Sequence, residues 1–459
     1  MSWLIAAAAG WHVLTHELLA VAAVGVAISL LDDLIIDVIY FHLVALRRTR
    51  LRPLAIAPAL AGWMAVIVPA WDEAGVIAAM LTDMTRRLDY PRYVVFVGVY
   101  PNDPLTRAAV ESVDDPRIMT VECSHPGPTT KADCLNHLWR AVLEHEAVTQ
   151  TPFKAVVLHD AEDVVDASEL RVFDAHIPAL AMVQLPVLPL VDFNSRWISG
   201  HYLDEFAEAH RKDLIVRGVI GAGVPSAGVA CAIDRNILGC LAGSAGNPFD
   251  PTSMTEDYEI GMRVAALGGR GALLRVRGDT GAIATREHFP ATFDAAVRQK
   301  TRWLLGIALD GWDRVGWRHG LADRFMLFRD RKAIVAPLIV SAGYLAAAMT
   351  AVEVLIRLVV PATRHFPPLV GRGSLLAVLL TVNIASLGWR LGLRAGFTGA
   401  NHGWREGLRA VPRTVVANAI NGLAAWGAVR RYFRIRAGVE TARWDKTSHR
   451  FPGDPASAS

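Results

Sequence analysis

Three acidic side chains crowd the end of one apolar run. Lys154-Ala-Val-Val-Leu-His-Asp-Ala-Glu-Asp163 places Asp160, Glu162 and Asp163 just past four apolar residues and His159. Such a run suits a strand buried on both faces, and open α/β sheets bind ligands in the crevice past the carboxyl ends of their strands. Carboxylates this close repel one another unless something positive sits among them, and Mg²⁺ or Mn²⁺ carrying a phosphate is the usual partner. A solvated acidic turn would look the same, so the run alone does not decide.

Two later segments carry further chemistry. In Ser253-Met-Thr-Glu-Asp257 the last residue enters the first turn of a helical pattern over residues 258–267. Ser253 with Glu256 matches a capping box, but a carboxylate beside a bound phosphate also suits removal of a proton from an incoming hydroxyl. Arg298-Gln-Lys-Thr-Arg-Trp303 lies in a helix expected from about Thr292 to Leu309. There Arg302 offers a planar fork to a diphosphate and Trp303 a flat face to a sugar ring; a basic helix at a membrane surface would use the same residues.

Positioning these groups requires a sheet. Apolar strands are expected over residues 63–70, 93–100, 117–123, 155–159, 181–186, 228–233 and 271–276, with helices such as 76–88 and 131–146 between them. That alternation implies a mostly parallel sheet covered on both faces.

The chain also implies a membrane. With 53% hydrophobic residues and a mean hydropathy of +0.30, its 459 residues are too apolar for an ordinary soluble enzyme. Residues 18–46, 333–360 and 375–396 are each long enough to span a bilayer. Asp32, Asp33 and Asp37 interrupt the first span, which places them either against other helices or near one interface. Arg47, Arg48, Arg50 and Arg52 follow it, and Arg324, Arg329, Arg331 and Lys332 precede the second, so the intervening domain is expected in the cytoplasm. Residues 414–429, with basic clusters at both ends, read as a helix lying in the interface. The resulting division is an N-terminal helix and basic flank (1–52), a catalytic domain (53–323), a C-terminal membrane region (324–436) and a cytoplasmic tail (437–459). A net charge of +3 gives no nucleic-acid footprint, and four cysteines without a C-x-x-C pair read as reduced thiols.

An apolar strand ending in a D-x-D-like cluster, then T-E-D, then Q-x-x-R-W, flanked by membrane helices, resembles the family-two inverting glycosyltransferases of GT-A fold, such as cellulose and hyaluronan synthases. The likeness covers about residues 61–312 and extends to Pro69-Ala-Trp-Asp-Glu73, Lys131-Ala-Asp-Cys-Leu-Asn136, Gln184-Leu-Pro-Val187 and Ser226-Ala-Gly228. The run from Gln299 to Trp317 and the ending Trp444-Asp-Lys-Thr-Ser-His449 are similar to a bacterial inner-membrane branch of that family. The sequence departs from the family pattern in Asp160-Ala-Glu162 for D-x-D, and in Pro101-Asn-Asp-Pro104 where an acidic turn is usual.

The resemblance implies a Rossmann-like, mixed but mostly parallel GT-A sheet in a cytoplasmic domain, joined to transmembrane helices in the bacterial inner membrane. It implies donor contacts from Glu73, Asp103, Lys131 and Asp160, and a Mg²⁺ or Mn²⁺ held by Asp160 with Glu162 or Asp163. Asp257 would be the catalytic base, with Glu256, Gln299, Arg302 and Trp303 around the acceptor and the leaving diphosphate. The implied partners are a nucleoside diphosphate sugar, most commonly a UDP-sugar, a lipid-linked or glycan acceptor, membrane lipid and an export protein. The rival readings are a non-catalytic membrane scaffold or export partner on the same fold, and a metal-dependent phosphoesterase, which has no need of the Q-x-x-R-W helix.

Overall fold

Side-chain alternation along two long strands explains why the sheet is covered on both faces. Strand β1 (Trp63–Pro69) sends Met64, Val66 and Val68 into one apolar cluster and Ala65 and Ile67 into another. Strand β2 (Tyr93–Val99) divides Val95, Val97 and Val99 from Val94 and Phe96 in the same way. In this computed structural model, which describes residues 2–54, 61–279, 281–317, 320–440 and 451–452, the other strands are β3 (Ile118–Glu122), β4 (Phe153–Leu158), β5 (Met182–Gln184), β6 (Val187–Pro189), β7 (Cys231–Asp234) and β8 (Gly271–Leu273). The segment 444–449 lies outside the described residues.

Seven strands form the central sheet in the order β3-β2-β1-β4-β7-β5-β8. All neighbours are parallel except β7, which runs antiparallel to β4 and β5, so the sheet is mixed and mostly parallel. All seven strands expected from the sequence are present. Because β1 and β4 are parallel neighbours, the turns after Pro69 and Leu158 open on the same edge. Strand β6 stands apart and pairs in parallel with Thr285–Glu287. The four cysteines are unbridged.

Among the described residues, three helices are long and apolar enough to cross a membrane: Trp3–Ala45, Leu321–Val359 and Leu375–His402. Each extends beyond the apolar run that marks it in the sequence. A helix of 44 residues, Ser2–Ala45, measures about 66 Å at a rise of 1.5 Å per residue, whereas a bilayer core takes up only about 30 Å. That excess length accommodates the three aspartates. Asp32 pairs with Arg329 and, at 2.7 Å, with Lys332; Asp33 pairs with Arg329 at 3.0 Å. Asp37 meets the buried Lys212 at 2.7 Å and accepts a hydrogen bond from Trp389 Nε1. Leu14, Val21, Ile28 and Leu31 on the same helix are exposed, as lipid-facing side chains would be.

The helix expected in the interface is a 33-residue element, Trp404–Arg436, and is not one of the three apolar spans. It buries Arg413, Ala417, Ile420 and Ala424 while exposing Leu408, Val415, Leu423 and Trp426. Gly403, at φ +88°, turns the chain back from the preceding helix, and a Cβ on Gly407 would lie 2.6 Å from the Ala395 carbonyl oxygen. The two helices touch backbone to backbone there.

One buried ion pair ties this helix to the domain that carries the sheet. Arg413 donates to Asp204 at 2.6 Å and to Glu406 at 2.6 Å, and the Arg413 and Asp204 side chains are 0% exposed. Removing Arg413 leaves the buried Asp204 with only Arg394, at 3.4 Å, and the Thr398 hydroxyl. Arg413→Met is expected to destabilise the detergent-solubilised protein by about 3–5 kcal/mol, read from thermal or denaturant unfolding. The double variant Arg413→Met/Asp204→Leu is expected to recover most of that loss.

Candidate active site

The turn after β4 divides its acidic residues between two sides. Asp163 Oδ2 accepts from the Asp160 amide at 3.1 Å and from His159 Nδ1 at 2.6 Å, while His159 Nε2 donates to Glu169 Oε1 at 2.8 Å. All three side chains are 0% exposed. Burial alone would lower the His159 pKa, but Glu169 and Asp163 raise it to about 10, so the ring is a cation held between two carboxylates. Burial pushes Asp163 up to about 6 against the pull of His159. With Asp163 anchored inward, Asp160 and Glu162 are left lining the pocket. Asp163, proposed from the sequence as a metal ligand, is not part of the pocket wall.

A lysine answers Asp160. Lys131 is the first residue of the helix Lys131–Thr149, which Thr130 caps by accepting from the Asp133 amide. A cation there opposes the helix dipole, so its position rests on nearby anions. Lys131 Nζ lies 2.5 Å from Asp160 Oδ1 and 3.9 Å from Glu256 Oε1. Burial works against its charge, yet Asp160, Glu256 and Asp257 together raise its pKa above the ordinary value.

Asp257 and Glu256 begin the helix Glu256–Ala266. The capping box suggested by the sequence does not form. Thr255 is the N-cap, and Ser253 Oγ instead donates to Glu259 Oε1 at 2.6 Å. Asp257 Oδ1 accepts from the amide of Tyr258, and Oδ2 approaches Gly228 so closely that a Cβ on that glycine would lie 3.1 Å from it. Gly228 also holds φ at +80°, which a side chain would strain. Burial raises the Asp257 pKa, opposed by Lys131, the Tyr258 amide and Arg302; burial raises Glu256 to about 7.

Gln299, Arg302 and Trp303 close the pocket from the helix Phe293–Leu304. Gln299 Oε1 is buried with no hydrogen-bond partner among the described residues. Trp303 stands edge-on to Tyr202 at 6.0 Å and near Phe206 and Phe289. Lys300 Nζ sits 4.6 Å from the Trp303 ring centre and 4.9 Å from that of Tyr202, and pairs with Glu205. Reading the sequence passed over Lys300, although it lies one turn before Trp303, on the same helix side. Phe206 and Phe289 carry no signal short of the fold itself.

The first turn is placed less directly. Glu73 lines the pocket, and its amide donates to Thr106 Oγ1. Asp103, expected at the donor, caps the helix Pro104–Glu111 instead, accepting from the Thr106 amide at 3.2 Å and the Asp72 amide at 2.6 Å. It is not in the pocket wall and supports the turn that presents Glu73.

The finished pocket sets six carboxylates (Glu73, Asp160, Glu162, Glu256, Asp257 and Glu287) against two cations, Lys131 and Arg302. Such a surplus suits a cation bound together with a phosphate-bearing ligand.

Residues 61–306 match the family described as Glycosyltransferase like family 2, and the chain belongs to that family. Its fold is that of the GT-A transferases: a mannosyltransferase from Pyrobaculum calidifontis, solved in complex with GDP-Man and Mn²⁺, is similar with a TM-score of 0.51 at 17% identity, covering 87% of this chain and 99% of that one. Bacteriophage adsorption protein B of Escherichia coli K12 is 34% identical across 98% of this chain, as is bacteriophage N4 adsorption protein B of Escherichia coli O157:H7. The chain spans 64% of the length of these relatives.

If the inward anchor sets the loop, disturbing it will reach the pocket. His159→Leu leaves two fully buried carboxylates without their shared cation and is expected to destabilise the domain by about 3 kcal/mol or more. Affinity for a ligand of the pocket, measured on the fraction that remains folded, is expected to fall although His159 does not line the pocket. Unchanged affinity would mean that the loop holds its shape without the anchor.

Proposed function

We propose that this membrane glycosyltransferase moves a hexosyl group from a nucleoside diphosphate sugar to a lipid-linked or glycan acceptor with inversion, on the cytoplasmic side of a bacterial inner membrane. One observation carries the reading: acidic, basic and aromatic groups drawn from positions 73 to 303 converge on a single pocket at the end of a GT-A sheet.

Each group has a part suited to its surroundings. Lys131 and Arg302 receive the donor phosphates, and Arg302, with its planar fork, opposes the negative charge that grows on the leaving diphosphate. Asp257 takes the proton of the acceptor hydroxyl as that oxygen attacks the anomeric carbon from the side opposite the diphosphate. Direct displacement of this kind needs one base and no covalent enzyme intermediate, and it inverts the anomeric centre. Trp303 and Gln299 hold the acceptor in line, with Lys300, Tyr202, Phe206 and Phe289 fixing the indole.

The donor set fits a divalent ion. Among the described residues no three His, Cys, Asp or Glu side chains are gathered as a cage. Mg²⁺, however, is ordinarily held by one or two carboxylates together with substrate phosphates, and Asp160 and Glu162 supply hard oxygen ligands of that kind. When bound, Mg²⁺ or Mn²⁺ would neutralise charge on the diphosphate. The GDP-Man and Mn²⁺ held by the Pyrobaculum mannosyltransferase support a nucleotide-sugar donor and a divalent ion here. Arg47, Arg48, Arg329 and Lys332 near the domain ends of two apolar helices support a cytoplasmic domain. The adsorption named for the Escherichia coli relatives supports a product that reaches the cell surface, with an export partner to carry it.

The test is release of nucleoside diphosphate by the purified protein with lipid extract as acceptor. UDP- and GDP-sugars are offered with Mg²⁺ or Mn²⁺, beside a chelated control. Release from one donor, abolished by chelation and reduced roughly 10²–10⁴-fold in Asp257→Asn with donor binding retained, is the expected result. Near-normal turnover in Asp257→Asn would remove that residue as the base, and silence across the panel from folded protein would favour a scaffold.

A further inference from the structure

A second cavity lies behind the active-site wall. In the Thr285–Glu287 strand, Arg286 and Glu287 are neighbours, and successive side chains of a strand leave by opposite faces. Glu287 lines the acidic pocket, whereas Arg286 lines a separate cavity of about 740 Å³. Among the described residues the charged lining of that cavity is Arg50, Arg211, Arg275, Arg277 and Arg286, with no carboxylate.

These arginines differ from those of the fold that sit in ion pairs. Arg217, Arg235, Arg314 and Arg413 are paired with Asp330, Glu146, Asp250 and Asp204. Around the cavity, Arg211 donates to the Ala400 carbonyl and the Asn401 side chain, Arg275 to the Thr49 carbonyl and Arg286 to the Ala284 carbonyl. Neutral acceptors leave these guanidinium charges without a carboxylate partner among the described residues. Burial, then the neighbouring Arg211 charge, hold Arg275 down at about 10. His210 adds no charge, because burial lowers it to about 4 and its Nδ1 accepts from the Val187 amide. His402 Nε2, also in the lining, is buried without a hydrogen-bond partner among the described residues.

Position indicates where a counterion would come from. Residues 49–51 follow the first apolar helix, and residues 400–402 end the third, so the cavity opens where two membrane helices meet the domain. A second hollow, lined by Arg47, Arg48, Arg52 and Arg270, continues the positive surface past the same linker. Guanidinium forks match phosphate oxygens, and basic hollows at the cytoplasmic ends of membrane helices suit anionic headgroups.

We propose that the arginine-lined cavity binds a phosphate-bearing anion, with the phosphodiester headgroup of an anionic membrane lipid as its source. The site is distinct from the acidic pocket and does not depend on the transferase reading.

The test titrates the full chain, detergent-purified and in EDTA so that no divalent ion recruits the probe to the acidic pocket. Dihexanoylphosphatidylglycerol serves as the lipid probe and glycerol phosphate as the soluble one. Saturable binding of the lipid probe, weakened at least tenfold in Arg277→Gln/Arg286→Gln and unchanged in Arg86→Gln/Arg140→Gln, is the expected result. Arg277→Lys/Arg286→Lys is expected to keep most of the affinity, which separates loss of charge from loss of fold. Where the double variant does not fold, Arg277→Gln alone, at an exposed side chain, is expected to weaken binding severalfold. If glycerol phosphate binds as tightly with the same losses, the site stands and its ligand is a soluble phosphate. Equal affinity in cavity and control variants, or no saturable binding of either probe, overturns the proposal.

Discussion

Repulsion among carboxylates is the constraint around which the pocket is built. Asp160, Glu162, Glu256 and Asp257 come from two separate segments and cannot share one small volume unless something holds each in place. Lys131 provides the main counterweight, sitting on Asp160 and within reach of Glu256. The adjoining surfaces give way to make room: Gly228 has no side chain where Asp257 needs space, and Asp163 is drawn inward by His159. Burial leaves both Glu256 and Asp257 with raised pKa values, the state of carboxylates that proton transfer can use.

Much of this was legible in the sequence because it depends on local pattern. The β-branched runs gave the strands, and the carboxylates at their ends lay where a parallel sheet opens. Helix ends were less readable. The first helix begins at Ser2 and not near Leu18, since alanines make helix as readily as leucines do without marking a membrane span. Ser253 and Glu256 have the spacing of a capping box, but Glu259, a turn further on, wins the serine hydroxyl. Asp103 and Asp163 had the right chemistry for the pocket and serve behind it, because a carboxylate that accepts backbone amides cannot be told in sequence from one that meets a ligand. Lys300 and the aromatic residues that steady Trp303 depend on contacts between distant segments, which periodicity does not report.

The membrane helices and the transferase domain are joined by charge as well as by apolar contact, the latter through Ile36, Tyr40 and Phe397 packed on Ala207 and Val216. Asp37 with Lys212, Asp32 with Arg329 and Lys332, and Asp204 with Arg413 each link a long helix to the domain or to its neighbour. Buried pairs of this kind are poor sources of net stability, yet a buried charge must keep partners of opposite sign within reach. They fix the orientation of the pocket relative to the apolar helices while leaving the outer faces of those helices free for lipid.

Thr301 lies between Lys300 and Arg302, and its Oγ1 donates to the Ala424 carbonyl of the long terminal helix at 3.4 Å. On that helix a Cβ at Gly427 would lie 3.0 Å from the same Thr301 oxygen, and the adjacent Trp426 is exposed. The helix bearing Arg302 and Trp303 is therefore in contact with a helix whose exposed tryptophan suits the headgroup layer. The arrangement works as a depth gauge. Once the indole of Trp426 finds its level, the height of Trp303 above the bilayer follows from the packing of the two helices, in which Ile420 and Val416 share an apolar cluster with Trp303.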